Sequence, residues 1–154
     1  MILLLHGNSQ RLAAGHRTLA LTWSGGTPLF TIRLDGPHTT PSLAITSSTR
    51  TATFDPFGGA IGDYQVTIVD ATGEAANSAF TVVDRASHPV RSAEAAAAIE
   101  SPSTPPSLAA ALDAARLMAD PSGNWRFEAY QRLIGHEAGS VLARRLVYEL
   151  ETGG

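Results

Sequence analysis

Between Ile61 and Val83 the residues IGDYQVTIVD, then ATGE, then AANSAFTVV leave few folds open to the chain. Tyr64, Val66 and Ile68 alternate with Gln65, Thr67 and Val69, and Phe80 and Val82 alternate with Ala79, Thr81 and Val83. A period of two is the pleat sending successive side chains to opposite faces. The segment therefore predicts a β-hairpin with one aromatic or aliphatic face and one threonine-rich face. Asp70-Ala71-Thr72-Gly73 has the chemistry of its tight turn, because Asp bonds the backbone ahead of it and Gly accepts a positive φ. Tyr64, just after Gly62, either ties its hydroxyl to nearby backbone or simply packs its ring inward.

The same rhythm runs through the upstream chain. Ile2 to Leu5 is a short apolar run that reads as a first strand. From Arg17 to Trp23, Leu19, Leu21 and Trp23 share one face, and Ser24-Gly25-Gly26-Thr27-Pro28 breaks the chain. Phe30, Ile32 and Leu34 point inward from the next strand, which ends at Asp35-Gly36-Pro37. Ser42 to Ser47 reads as a weak, edge-like strand and Thr51 to Phe54 as another, before a loop at Asp55-Pro56-Phe57-Gly58-Gly59. About seven short strands with turn signals roughly every 8–12 residues make an Ig-like sandwich pattern, with Trp23 opposite Tyr64 at its centre.

The composition changes after Asp84. A polar connector leads to an alanine-rich helix over Ser92 to Glu100, and Ser101-Pro-Ser-Thr-Pro-Pro-Ser107 breaks it. Leu108, Leu112, Ala115 and Met118 recur at helical spacing until Asp120-Pro121-Ser122-Gly123. Asn124 predicts an N-cap for a third helix through Ile134, Gly135 closes it, and Glu137 to Glu151 predicts a fourth. The fold class expected is α+β in two parts: an N-terminal antiparallel Ig-like β-sandwich over 1–84, a linker over 85–91, and a small C-terminal helical bundle over 92–151.

Composition narrows the function classes. The formal net charge of -3 removes a global electrostatic case for binding nucleic acid or an anionic membrane. The chain has no Lys, and its Arg residues are scattered. Cys is absent, which excludes disulfides, thiolate metal sites and Cys nucleophiles. No apolar run approaches a membrane span, and Met1 to Leu5 is too short for a signal-peptide core.

Residues 18 to 83 resemble the Ig-like repeats of bacterial surface proteins, the PKD-type and gliding-adhesin group. The residues carrying the likeness are Trp23-Ser24-Gly25-Gly26-Thr27-Pro28 followed by Phe30, then Gly62-x-Tyr64-x-Val66-x-Ile68-x-Asp70-x-x-Gly73, then Phe80-x-Val82. The chain departs from that group in having one copy rather than an array, Leu29 at a second Pro position, and Glu74 where Cys is common. The resemblance implies a sandwich fold and a periplasmic or extracellular setting; without it a cytoplasmic one stays open.

Catalytic readings lack their companions. Ile2 to Asn8, with His6-Gly7, resembles the strand and turn that carry an oxyanion donor in α/β-hydrolases. No Gly-x-Ser-x-Gly elbow follows, and Ser140 lacks the pattern. His6, His16, His38, His88 and His136 are far apart and read as solvated loop residues. Asp63, Asp70 and Glu74 read as turn formers rather than cation ligands. No cofactor is expected.

Functional content lies in the helices. Trp125, Phe127, Ala129, Tyr130, Leu133 and Ile134 cover about half of a helical wheel, wider than the ~100° stripe one neighbour needs. On the last helix Leu142, Ala143, Leu146, Val147 and Leu150 form one face, and Val141 with Tyr148 a second. Two faces call for two neighbours, either another helix and the chain's own sandwich, or a further protein subunit. The leading expectation is a non-catalytic accessory subunit of a bacterial envelope assembly, with Trp125, Phe127, Tyr130, Val141 and Tyr148 as candidate contacts. The alternative is a carbohydrate- or peptide-binding module using loops at Pro37–Pro41 and Asp55–Ala60, with Phe57 as an exposed anchor.

Overall fold

The computed structural model describes residues 2–3, 9–37, 42–89 and 93–152. Its strands are β1 (Ile2–Leu3), β2 (Gln10–Ala13), β3 (Arg17–Ser24), β4 (Phe30–Asp35), β5 (Leu43–Ser47), β6 (Thr51–Phe57), β7 (Gly62–Val69) and β8 (Ala75–Val83). They form a three-stranded sheet in the order β1-β3-β6 and a five-stranded sheet in the order β2-β8-β7-β4-β5. The helices that follow are α1 (Ala93–Glu100), α2 (Pro106–Met118), α3 (Arg126–Leu133) and α4 (Val141–Thr152). The two-part α+β architecture is the one the periodicities predict.

The hairpin pairs β7 with β8 in antiparallel register, Tyr64 opposite Phe80 and Val66 opposite Ser78. Its turn closes as expected, with Gly73 at φ +86 and its amide donating to the Asp70 carbonyl at 3.0 Å. Tyr64 does both of the things its position allows. Its ring is buried and stacked on Phe80, with centroids 5.1 Å apart, and its hydroxyl donates to the Ala60 carbonyl at 3.0 Å. Gly36 sits against that ring; a Cβ there would overlap it, so only glycine fits.

The core is built from two aromatic groups rather than one Trp23–Tyr64 pair. Trp23 meets Phe30 edge-on at 5.1 Å, and Phe57 meets Tyr64 at 5.2 Å; each contact joins the two sheets. Phe57 belongs to this second group because β6 continues through Asp55 and Pro56, which read in the sequence as a loop. The other departure is β2, which runs parallel to β8 and brings Leu12 opposite Val82. All other strand pairs among the described residues are antiparallel.

Helix α3 closes one open side of the sandwich, between the outer edge of β2 and the flank of β3 at Ala20, beyond the two β3 residues that pair with β1. Phe127 reaches inward to Phe80, with ring centroids 5.2 Å apart, so the buried side chains of strands and helices form one continuous cluster. Helices α2 and α4 cover α3 from outside with Ala111, Ala114, Leu117, Ala143, Leu146, Val147 and Leu150. The capping of α3 differs from expectation. Trp125 rather than Asn124 occupies the N-cap position without a side-chain cap, and the Gln10 side chain accepts from the Phe127 amide at 3.0 Å instead. The predicted helix from Glu137 is split into a 3₁₀ turn over Glu137–Gly139 and α4. Ser140 caps α4, its hydroxyl accepting from the Ala143 amide at 3.3 Å.

Candidate interaction surface

The aromatic residues singled out on the third helix are internal. Trp125, Phe127 and Tyr130 are buried, because α3 has the sandwich on one side and the other helices on the other. The broad apolar surface of this helix is thus consumed within the chain. Phe57 is likewise buried, which corrects its reading as an exposed loop anchor. Of the Pro37–Pro41 loop, residues 38–41 lie outside the described residues, as do His6-Gly7-Asn8.

What locks α3 in place is a set of polar contacts to both sheet edges. The Arg11 amide donates to the Asn124 carbonyl at 2.7 Å and the Ala13 amide to Glu128 Oε2 at 3.0 Å, which gives two amides on the outer edge of β2 a partner. Across the gap, Gln131 grips the backbone of β3. Its Oε1 accepts from the Ala20 amide at 2.9 Å and its Nε2 donates to the Ala20 carbonyl at 2.7 Å. A side-chain amide here completes the pattern that a further strand would supply.

Glu128 is 1% exposed and anchors an ion-pair network. Arg17 Nη1 donates to its Oε2 at 3.0 Å, and Arg132 Nε to its Oε1 at 2.8 Å. Arg132 also pairs with Asp113, and Asp113 accepts from Arg116 at 3.1 Å. His88, on the connector after β8, completes the network. Arg132 Nη2 and His88 Nε2 are 3.0 Å apart, and the imidazole tilts against Trp125 with centroids 5.0 Å apart. Reading His88 as a solvated loop residue is therefore corrected. Arg116 fixes the connector further by donating to the Pro89 carbonyl at 2.8 Å. These pairs are partly visible in the sequence as Glu128–Arg132 and Asp113–Arg116 at helical spacing. Arg17, Gln10, Gln131 and His88 carry no such signal.

A smaller polar group lies where α3 meets the end of α4. Burial pushes the Tyr130 hydroxyl well above its usual range, with Glu151 and Glu137 adding negative charge beside it. Burial, then Glu137, raises Glu151 in turn. Among the described residues no group of three His, Asp or Glu side chains could hold a metal ion.

Two of the candidate contacts remain at the surface. Val141 is 79% exposed and Tyr148 67% exposed. At 100° per residue they share the face of α4 opposite Ala143, Leu146, Val147 and Leu150. Arg144 and Arg145 flank them on either side, Arg145 bonded to Glu149 at 3.1 Å. This helix therefore has one covered face rather than two.

No protein-family model matches the sequence, and no characterised protein does. Among solved structures the chain is similar to CopC from Methylosinus trichosporium OB3b, with 21% identity and a TM-score of 0.35. The alignment covers 51% of this chain and 87% of CopC. A likeness of that degree bears on neither function nor site. No described helix is long and apolar enough to cross a membrane.

Proposed function

We propose that this chain is a non-catalytic interaction subunit of a bacterial envelope assembly, in which the sandwich is a rigid spacer and α4 the attachment surface. The observation that carries the reading is the outer face of α4, where Val141 and Tyr148 stand exposed opposite the buried stripe. An exposed aromatic beside an aliphatic residue is the composition of an interface anchor. Charged side chains rim the face, Arg144 on one side and the Arg145–Glu149 pair on the other. They fit a partner that presents an apolar centre and a charged rim with Asp or Glu opposite Arg144. A second copy fits this face poorly, since pairing two α4 helices antiparallel about the centre of the Val141–Tyr148 patch opposes Arg144 with Arg145. The envelope setting rests on the resemblance of residues 18 to 83 to sandwich repeats of bacterial surface proteins.

The non-catalytic reading is supported by the way the charged side chains are spent. Glu128, Asp113 and their arginines hold elements together, and Asp70 organises a turn. The test is site-specific photo-crosslinking from position 148 in living cells, with the crosslinked peptides sequenced. Adducts on an acidic segment of an envelope protein, lost in R144E/R145E, support the reading. Absence of any adduct, or adducts confined to cytoplasmic proteins, overturns it.

A further inference from the structure

The margins of the sheets are covered or interrupted in several places, which makes an open one informative. The outer edge of β2 is covered by Asn124 and Glu128, and the flank of β3 at Ala20 by Gln131. Strand β6 carries Asp55 and Pro56, a charge and a residue without an N–H, both of which discourage pairing. Strand β5 ends the five-stranded sheet beyond β4, and among the described residues no backbone pairs with its outer edge. Its sequence, Leu43-Ala44-Ile45-Thr46-Ser47, holds no charge and no proline, and its register with β4 has no bulge. Leu43 is 40% exposed, and Ala44 and Thr46 face solvent. An open, uncharged edge of this kind is a template for another strand.

We propose that the outer edge of β5 pairs with β5 of a second copy of this chain. The two strands run antiparallel about a two-fold axis at Ile45, joining two five-stranded sheets into one. In that register Ile45 meets Ile45, Ala44 meets Thr46, and Leu43 meets Ser47. Leu43 and Ile45 lie on the core-facing side, so the pairing extends an apolar surface and covers the exposed part of Leu43. No like charges are opposed. The nearest charge, Arg33, lies one strand inward beside Ala44 and is paired with Asp35 at 3.0 Å. This is the reverse of the situation on α4, where self-pairing sets arginine against arginine. An isologous edge contact also closes on itself and leaves no further edge to propagate. Five residues make a contact smaller than the ~1,600 Å² of a standard interface, so the dimer belongs in about the micromolar-to-millimolar range.

The test is sedimentation equilibrium of the full chain from about 10 µM to about 1 mM, on wild type and two variants. Wild type should pass from monomer to dimer as concentration rises. A44K/T46K opposes two ammonium groups at each cross-strand pair of positions 44 and 46, and should raise the dissociation constant at least about tenfold. A44K/T46E opposes an ammonium with a carboxylate at the same pairs, and should restore dimerisation to within a few-fold of wild type. Hydrogen exchange on wild type gives a reading that needs no variant to fold: protection of the β5 amides should rise with concentration. A wild-type chain monomeric throughout the range, or β5 protection independent of concentration, overturns the proposal. So does equal dimerisation of A44K/T46K and wild type, or failure of A44K/T46E to recover it.

Discussion

Asp70 shows how much one carboxylate can organise. Its Oδ1 accepts from the Thr72 hydroxyl at 2.7 Å and from the amides of Thr72 and Glu74, while Oδ2 accepts from the Thr27 amide at 2.8 Å. It therefore shapes the β7–β8 turn and ties it to the loop before β4. The Thr72 hydroxyl first, then the Thr27 amide, hold its pKa down to about 2. An unfolded Asp titrates near ~3.9, so the folded state binds this proton less readily than the unfolded one. The stabilisation is then complete above about pH 4 and lost as pH falls through about 2. Thermal melts should show Asp70→Ala several degrees below wild type at neutral pH, with the gap closing as pH is lowered from about 5 toward 2. Phe57 offers a second residue-scale test. Truncating a ring packed edge-on against both Tyr64 and Phe80 should cost about 3–5 kcal/mol in urea unfolding. A loop residue would cost almost nothing.

At the scale of elements, α3 behaves as the missing strand between two sheet edges. Gln131→Ala leaves both polar groups of Ala20 without this partner and should cost about 1–3 kcal/mol. Glu128→Ala removes the carboxylate that serves Ala13, Arg17 and Arg132 and should cost about 3 kcal/mol or more. Helix α4 supplies the contrast. Leu146→Ala should cost about 2–5 kcal/mol, whereas Val141→Ser and Tyr148→Ser should each stay within about 0.5 kcal/mol. Chemical denaturation of the four variants with wild type as reference, and of Glu128→Ala beside them, checks all of this. Strands β3, β4, β7 and β8 are legible because each has one buried and one more open face, and that contrast is what periodicity reports. Strand β2 is not, since Leu12 and Ala13 are both buried and the strand is only four residues long. The end of β6 is hidden by Pro56, an ordinary turn signal that here lies within a strand. The helical wheel finds the broad apolar surface of α3 but cannot say that the chain itself covers it. For α4 the same logic asks for a second neighbour that the fold does not provide. The contacts that matter most, Gln131 to Ala20 and Glu128 to Arg17, join residues 111 positions apart, and no local pattern encodes them.

For the whole molecule, the consequence is mechanical. After β8, Arg85 is bonded to the Ala14 carbonyl, and His88 and Pro89 meet arginines of the helices, so residues 85–89 are tied to both parts. Under the proposed function, a spacer whose attachment helix packs into the shared core would transmit orientation to its partner, which a sandwich and bundle on a loose tether would not. Small domains bury too little surface to be robust alone, so the shared core should make sandwich and helices fold as one unit. One tryptophan stands on each side of that junction, both buried: Trp23 in β3 and Trp125 at the start of α3. Denaturant unfolding of Trp23→Phe and Trp125→Phe, each followed through the remaining indole and by far-UV circular dichroism, tests the claim most directly. For each variant, the indole and dichroism curves should coincide in a single transition. Helical dichroism and the Trp125 signal melting at lower denaturant than Trp23 would contradict it, because the two parts would then be independent.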